Sequence, residues 1–266
     1  MAMRALSAMQ QPGCFKIRTL ARRVMRASSK RRRAQNAGGS ELVCKQDVEG
    51  QTCLHYAAMH GLVHIVDCVL EVGGHELLFK KNEEGITAFF LAVQENRVAV
   101  VERLLQASAP EELLQKLLLD TGKDGSSCLF ASVYQNNLDL ARMLLIAGGR
   151  ELALLQDATG SSCMHVAAAD GHVHMVKLLL EFAGRDLVML RQLGGTSCLL
   201  KASARGHAAV AGLLIDVGGI TAGPKLLLGL LGKNMKRFKR CKKSFGYHSG
   251  NTCMLKESVK RDMFVY

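Results

Sequence analysis

The sequence predicts an all-α solenoid of about five helix-pair units, joined by short hairpin-like loops and flanked by basic, disordered tails. Three observations carry this. A four-residue mark recurs as Thr52-Cys53-Leu54-His55, Thr87-Ala88-Phe89-Phe90, Ser127-Cys128-Leu129-Phe130, Ser162-Cys163-Met164-His165 and Ser197-Cys198-Leu199-Leu200, its first residues 35, 40, 35 and 35 apart. Such a period signals stacked units that share one core. Second, zero Trp, 5% aromatics and three Pro argue against a β-sandwich, which needs many turns and usually a buried Trp. Third, apolar residues within each unit recur at helical spacing.

Each mark follows a glycine two positions earlier (Gly50, Gly85, Gly125, Gly160, Gly195) and precedes small residues such as Ala57-Ala58 and Ala167-Ala168. A first short helix therefore begins near the mark and closes at Gly61, Asn96, Asn136, Gly171 or Gly206, residue types that tolerate the left-handed conformation. A second helix follows, with one apolar face made by Ile65, Val66, Val69 and Leu70 or by Met175, Val176, Leu179 and Leu180. It stops at Gly73-Gly74, Gly148-Gly149, Gly184 or Gly218-Gly219. Helices of about ten residues cannot bury such a face alone, so neighbouring units must stack. In the second unit, Ser108-Ala109-Pro110-Glu111-Glu112 ahead of Leu113-Leu114 reads as the start of an additional capped helix that should protrude. Cys253-Met254-Leu255-Lys256-Glu257-Ser258 echoes Cys198-Leu199-Leu200-Lys201-Ala202-Ser203, but 55 residues on. It is read either as a degenerate half-length cap or as part of a disordered tail.

Charge divides the chain in the same way. The whole carries +12, yet residues 1–40 sum to +10, residues 41–223 to −7 and residues 224–266 to +9. The expected organisation is a basic disordered or targeting segment at 1–40, a repeat domain at 41–223, and a basic tail with a degenerate half repeat at 224–266.

The marks resemble the ankyrin repeat: Gly50-x-Thr52-x-Leu54-His55-x-Ala57-Ala58-x-x-Gly61 followed by Val66 and Val69-Leu70, and again Gly160 through Leu180. The resemblance spans roughly residues 42–220. Tetratricopeptide and pentatricopeptide units have similar lengths, but the Gly-x-Thr opening and the glycine between helices fit neither. Two departures stand out. The slot after the Thr, usually Pro in ankyrin units, holds Cys53, Ala88, Cys128, Cys163 and Cys198, from which a less rigid start is expected. The period of 35 exceeds the usual ~33, and the surplus lies in segments such as Gly74-His75-Glu76-Leu77-Leu78 and Gly149 to Leu154, where an extra turn with Leu packed inward is expected.

The Cys53/His55 and Cys163/His165 pairs look superficially like nucleophile and base, or like metal ligands. Both residues occupy fixed repeat slots, and the resemblance implies that the His bonds loop backbone. His60 with His64, and His172 with His174, lack the further ligands of a zinc site. Gly218 to Lys225 mimics a phosphate loop but places Pro224 at the lysine position. No catalytic residue, metal site or cofactor is assigned. No apolar run is long enough to span a membrane. Nine Cys, an odd number, without a secretory signal point to an intracellular, reducing compartment, with the nucleus or cytoplasm favoured. The dense cationic runs Lys30-Arg31-Arg32-Arg33 and Lys236-Arg237-Phe238-Lys239-Arg240-Cys241-Lys242-Lys243 leave three readings open. They are import signals or nucleic-acid contacts, the first belongs to an organellar transit peptide, or both are solvated tails.

The resemblance implies a non-catalytic monomer that binds another protein through its hairpin tips and the concave face of its first helices. On that mapping the contact residues are Val48, Glu49, Gln51, Met59 and His60 in unit one, and Glu83, Glu84, Ile86, Gln94 and Glu95 in unit two. Lys123, Asp124, Tyr134 and Gln135 follow in unit three, Ala158, Thr159, Ala169 and Asp170 in unit four, and Leu193, Thr196 and Arg205 in unit five. The alternative is a nucleic-acid-associated or nuclear regulatory protein whose basic tails contact phosphate while the repeats recruit a partner.

Overall fold

The computed structural model describes residues 43–108 and 111–218. They belong to two compact bodies, one ending at Ala158 and the other beginning at Thr159. The first contains α1 (Cys53–Met59), α2 (Val63–Gly73), a 3-10 turn (His75–Phe79), α3 (Ala88–Gln94), α4 (Val98–Ala107), α5 (Glu111–Leu118), α6 (Cys128–Tyr134) and α7 (Leu138–Leu154). The second contains α8 (Cys163–Asp170), α9 (Val173–Met189), α10 (Cys198–Ala204) and α11 (Ala208–Gly218). In each body inner helices pack on inner helices, α1 on α3 and α3 on α6, or α8 on α10; outer helices pack likewise, α2 on α4, or α9 on α11. The architecture is an all-α repeat solenoid. Among the described residues, β-pairing is confined to isolated bridges such as Lys81–Thr87 and Arg191–Ser197.

The inner helices have only seven or eight residues, too few to be stable in water by themselves. Two features hold them. Thr52, Thr87 and Ser197 each accept the backbone N–H three residues on, an N-cap that contributes about 1 kcal/mol. Burial does the rest: Leu54, Ala57 and Ala58 of α1 and Met164, Ala167 and Ala168 of α8 are completely buried, the small residues letting neighbouring helices approach closely. The outer helices are amphipathic; α4 buries Val100, Val101 and Leu104 and exposes Ala99, Glu102 and Gln106.

The surplus residues of each period form the expected inward turn. After Gly74 the 3-10 turn buries Leu77 and Leu78. The axes of α7 and α9 break at Gly149 (φ 59°, ψ −152°) and Gly184 (φ 58°, ψ −141°), and the last turns bury Leu152 and Ala153, or Leu187 and Val188. In the second unit α5 takes this place. It does not protrude as the sequence suggested, because Leu117 and Leu118 are buried and the helix packs on α7. Glu111 and Glu112 in its first turn are exposed.

Two glycines make a direct test of these constraints. Gly149 adopts a backbone conformation that is almost exclusive to glycine, but a Cβ there would meet nothing within 4 Å. At Gly125 (φ +78°) a Cβ would also come within 2.7 Å of the Ala158 nitrogen. Gly149→Ala should lower unfolding free energy by about 1–3 kcal/mol of backbone strain, and Gly125→Ala by clearly more, measured by urea denaturation.

Candidate functional site

The inner helices are entered through hairpins whose main chains are bonded to one another. Within four of the tips the first N–H bonds the carbonyl four residues on: Asp47 to Gln51, Asn82 to Ile86 and Gly122 to Ser126, each at 3.0 Å, and Gln192 to Thr196 at 3.1 Å. Successive tips are then joined. In the first body Glu83 N–H donates to Glu49 C=O (3.0 Å), Lys123 to Glu84 (3.2 Å) and Ala158 to Asp124 (2.8 Å); in the second, Leu193 donates to Thr159 (2.9 Å). With the backbones paired in this way, the tip side chains point outward.

Most of the expected contact residues lie on this surface. Val48 (84% exposed), Glu49, Glu83, Glu84, Lys123, Asp124 and Ala158 are exposed at tips of the first body, and Thr159 and Leu193 (83%) at those of the second. Gln94, Glu95, Tyr134 (75%), Gln135, Asp170 and Arg205 are exposed at the ends of inner helices, while Gln51, Met59, His60 and Thr196 are half-buried. Two expectations are corrected. Ile86 and Ala169 are each only 7% exposed. Ile86 is tied at both main-chain atoms, its N–H to Asn82 Oδ1 and its C=O to His55; Ala169 lies where Arg205 reaches back to its carbonyl. Asp124 accepts the N–H and Oγ–H of Ser126 (3.0 and 2.7 Å), which holds its carboxyl below the usual carboxylate range.

Several side chains beside this surface serve stacking instead. Arg97 Nε donates to Met59 C=O at 2.9 Å, and Asn137 Nδ2 to Asn96 Oδ1 at 2.7 Å. Gln135 Nε2 donates to Gln94 C=O, and Arg205 pairs with Asp170 at 2.8 Å while also donating to Ala169 C=O. The sequence assigned Gln135 and Arg205 to partner contact and singled out neither Arg97 nor Asn137. The signal was a polar residue at one of two offsets from the mark, Gln135 and Arg205 at the nearer and Arg97 and Asn137 two positions further on, where each meets the preceding unit.

The Cys–His pairs are structural. Thr52 N–H donates to His55 Nδ1 (3.2 Å) and Thr52 Oγ1 lies 2.8 Å from the same nitrogen, so Nε2 carries the proton and donates to Ile86 C=O at 3.2 Å. His165 does the same between Ser162 and Thr196 C=O. Burial pushes the His55 pKa down, partly opposed by the bond to Ile86. The cysteines of the mark are also buried. Sγ of Cys53, Cys128 and Cys198 donates to the carbonyl ten residues back, Val43 at 3.2 Å, Leu118 at 3.6 Å and Val188 at 3.5 Å. Burial raises the thiols of Cys53, Cys128 and Cys163 to about 12 and that of Cys198 to about 11. Thiols kept protonated and buried in this way are poor nucleophiles near neutral pH. Among the described residues no three His, Cys, Asp or Glu side chains converge as a metal site requires, and no helix is long and apolar enough to cross a membrane. The cationic runs Lys30–Arg33 and Lys236–Lys243 and the echo at Cys253 lie outside the described residues.

A capped inner helix, a reaching histidine and a bonded hairpin, repeated at fixed offsets, define a protein built from stacked helix-pair repeats. The family model described as ankyrin repeats (3 copies) matches residues 34–113 and 129–223, and the chain belongs to that family. Its repeats are in general modules for binding other proteins, and the family is typically non-catalytic. No curated protein matches the chain.

Because the folded state favours neutral His55, the stability it contributes is complete above the ordinary histidine pKa of about 6.5 and is lost as pH falls below it. His55→Gln keeps an N3 side chain able to complete the helix cap but removes the titration. Thermal unfolding midpoints between pH 7.5 and 5 should therefore fall less steeply for His55→Gln than for the parent.

Proposed function

We propose that this chain is a non-catalytic scaffold that acts as a monomer and binds another protein through its hairpin tips and the exposed ends of its inner helices. The carrying observation is the main-chain bonding between tips, which fixes the backbone beneath a row of exposed side chains. A backbone already ordered loses little entropy on binding, and exposed tip residues set specificity without disturbing the core.

The side chains of the first body indicate the partner's chemistry. Glu49, Glu83, Glu84 and Glu95 are exposed there, with Lys123 the cation among the contact residues of that body. A basic or polar segment fits this surface, with Val48 and Tyr134 as apolar anchors. A photo-crosslinking residue at Glu84 or Tyr134 should capture the partner, whereas the same residue at Glu71, exposed on α2, should not. Glu83→Lys/Glu84→Lys should weaken that capture roughly tenfold at low salt and flatten its dependence on ionic strength; capture that is unchanged across the salt series contradicts the reading.

The charge of the termini favours one further reading. With ten Lys/Arg and no acid in residues 1–40, and eleven against two in residues 224–266, the tails fit a phosphate backbone while the repeats recruit a protein. Binding of this kind falls steeply with salt, and removal of both tails should abolish retention on a nucleic-acid column while sparing the crosslink at Glu84.

A further inference from the structure

We propose that residues 246–258 dock on the end of unit five as a sixth hairpin and inner helix. Three observations show a place prepared for them. A Cβ on the hairpin glycine Gly50, Gly125 or Gly160 would lie 2.7–3.0 Å from the backbone of the next tip, whereas at Gly195, with the same positive φ, it would meet nothing within 4 Å among the described residues. The carbonyls of Glu49, Glu84, Asp124 and Thr159 each accept the N–H of the next tip, and among the described residues the equivalent carbonyl of Gly194 accepts none. The slot three residues into the mark faces the following tip, since His55 and His165 bond its main chain. Both histidines are fully buried, but Leu200 in that slot is 43% exposed.

The sequence supplies an occupant in register. Gly250-Asn251-Thr252-Cys253-Met254-Leu255 repeats Gly195-Thr196-Ser197-Cys198-Leu199-Leu200. Counting back from Thr252 as from the other marks, His248 N–H is the donor for Gly194 C=O. Met254 falls in the slot of Leu54, Leu129, Met164 and Leu199, which are 0–1% exposed, so docking has a buried anchor. The chain between Gly218 and His248 is ample to reach, at up to ~3.3 Å per residue. Its attachment to the same molecule gives this segment a high local concentration relative to a second copy. The longer interval of 55 residues places the cationic run Lys236–Lys243 in a loop tethered at both ends, beside the cap.

Hydrogen exchange of the full chain tests this. Amides in 190–205 and 247–260 should both be protected, and Met254→Asp should speed exchange in both segments by roughly tenfold or more, as local opening would. Met235→Asp, within the loop, should leave them unchanged. The proposal is overturned if 247–260 exchanges as free peptide, if Met254→Asp leaves 190–205 unaffected, or if protection of 190–205 rises with protein concentration, which would assign the surface to a second copy.

Discussion

Among the described residues no inner helix exceeds eight residues, so its stability must come from the units on either side. Each unit leaves apolar surface that only a neighbour covers, and the details of the structure follow from that dependence. Alanines allow close approach, hairpin glycines leave room for the next backbone, and histidines and arginines cross from one unit to the next. The net contribution of each such bond is about 1 kcal/mol, while a fully buried Leu contributes about 1.5–3 kcal/mol. Burial therefore holds the stack together, and the polar contacts fix its register.

What could be read from the sequence reflects this division. The marks, the small pairs after them and the apolar face of the outer helices are periodic because the core repeats, and they placed every inner and outer helix. The inward leucines after Gly74 and Gly149 were visible for the same reason. Contacts between units were harder to read. Arg97 and Arg205 look like solvent-facing residues when only their own helix is considered, and their role depends on carbonyls 38 and 36 residues away. Ile86 and Ala169 were misplaced because the same slot is half-buried in one unit and closed in another, according to what the neighbour reaches across. The insertion at α5 was recognised as a helix, but its packing on α7 depended on Leu117 and Leu118, whose direction no cap signal reveals.

The candidate binding surface is a by-product of the same architecture. The hairpins spend their main-chain donors and acceptors on each other, which leaves side chains as the means of recognition. In the first body these are mostly carboxylates, and Asp124, stabilised as an anion by Ser126, stays charged well into acid. The overall positive charge of the chain is thus a poor guide to the surface that the folded units present.

The thiol that replaces proline in the mark gives four of the five units a chemical property that proline could not. Cys53, Cys128, Cys163 and Cys198 are all buried and strongly biased to the protonated form, so alkylation at each must wait for its own unit to open. In the second unit, Ala88 leaves a blank position. The native chain therefore carries its own set of local clocks, and the order in which these four cysteines are labelled would give the order in which its repeats come apart.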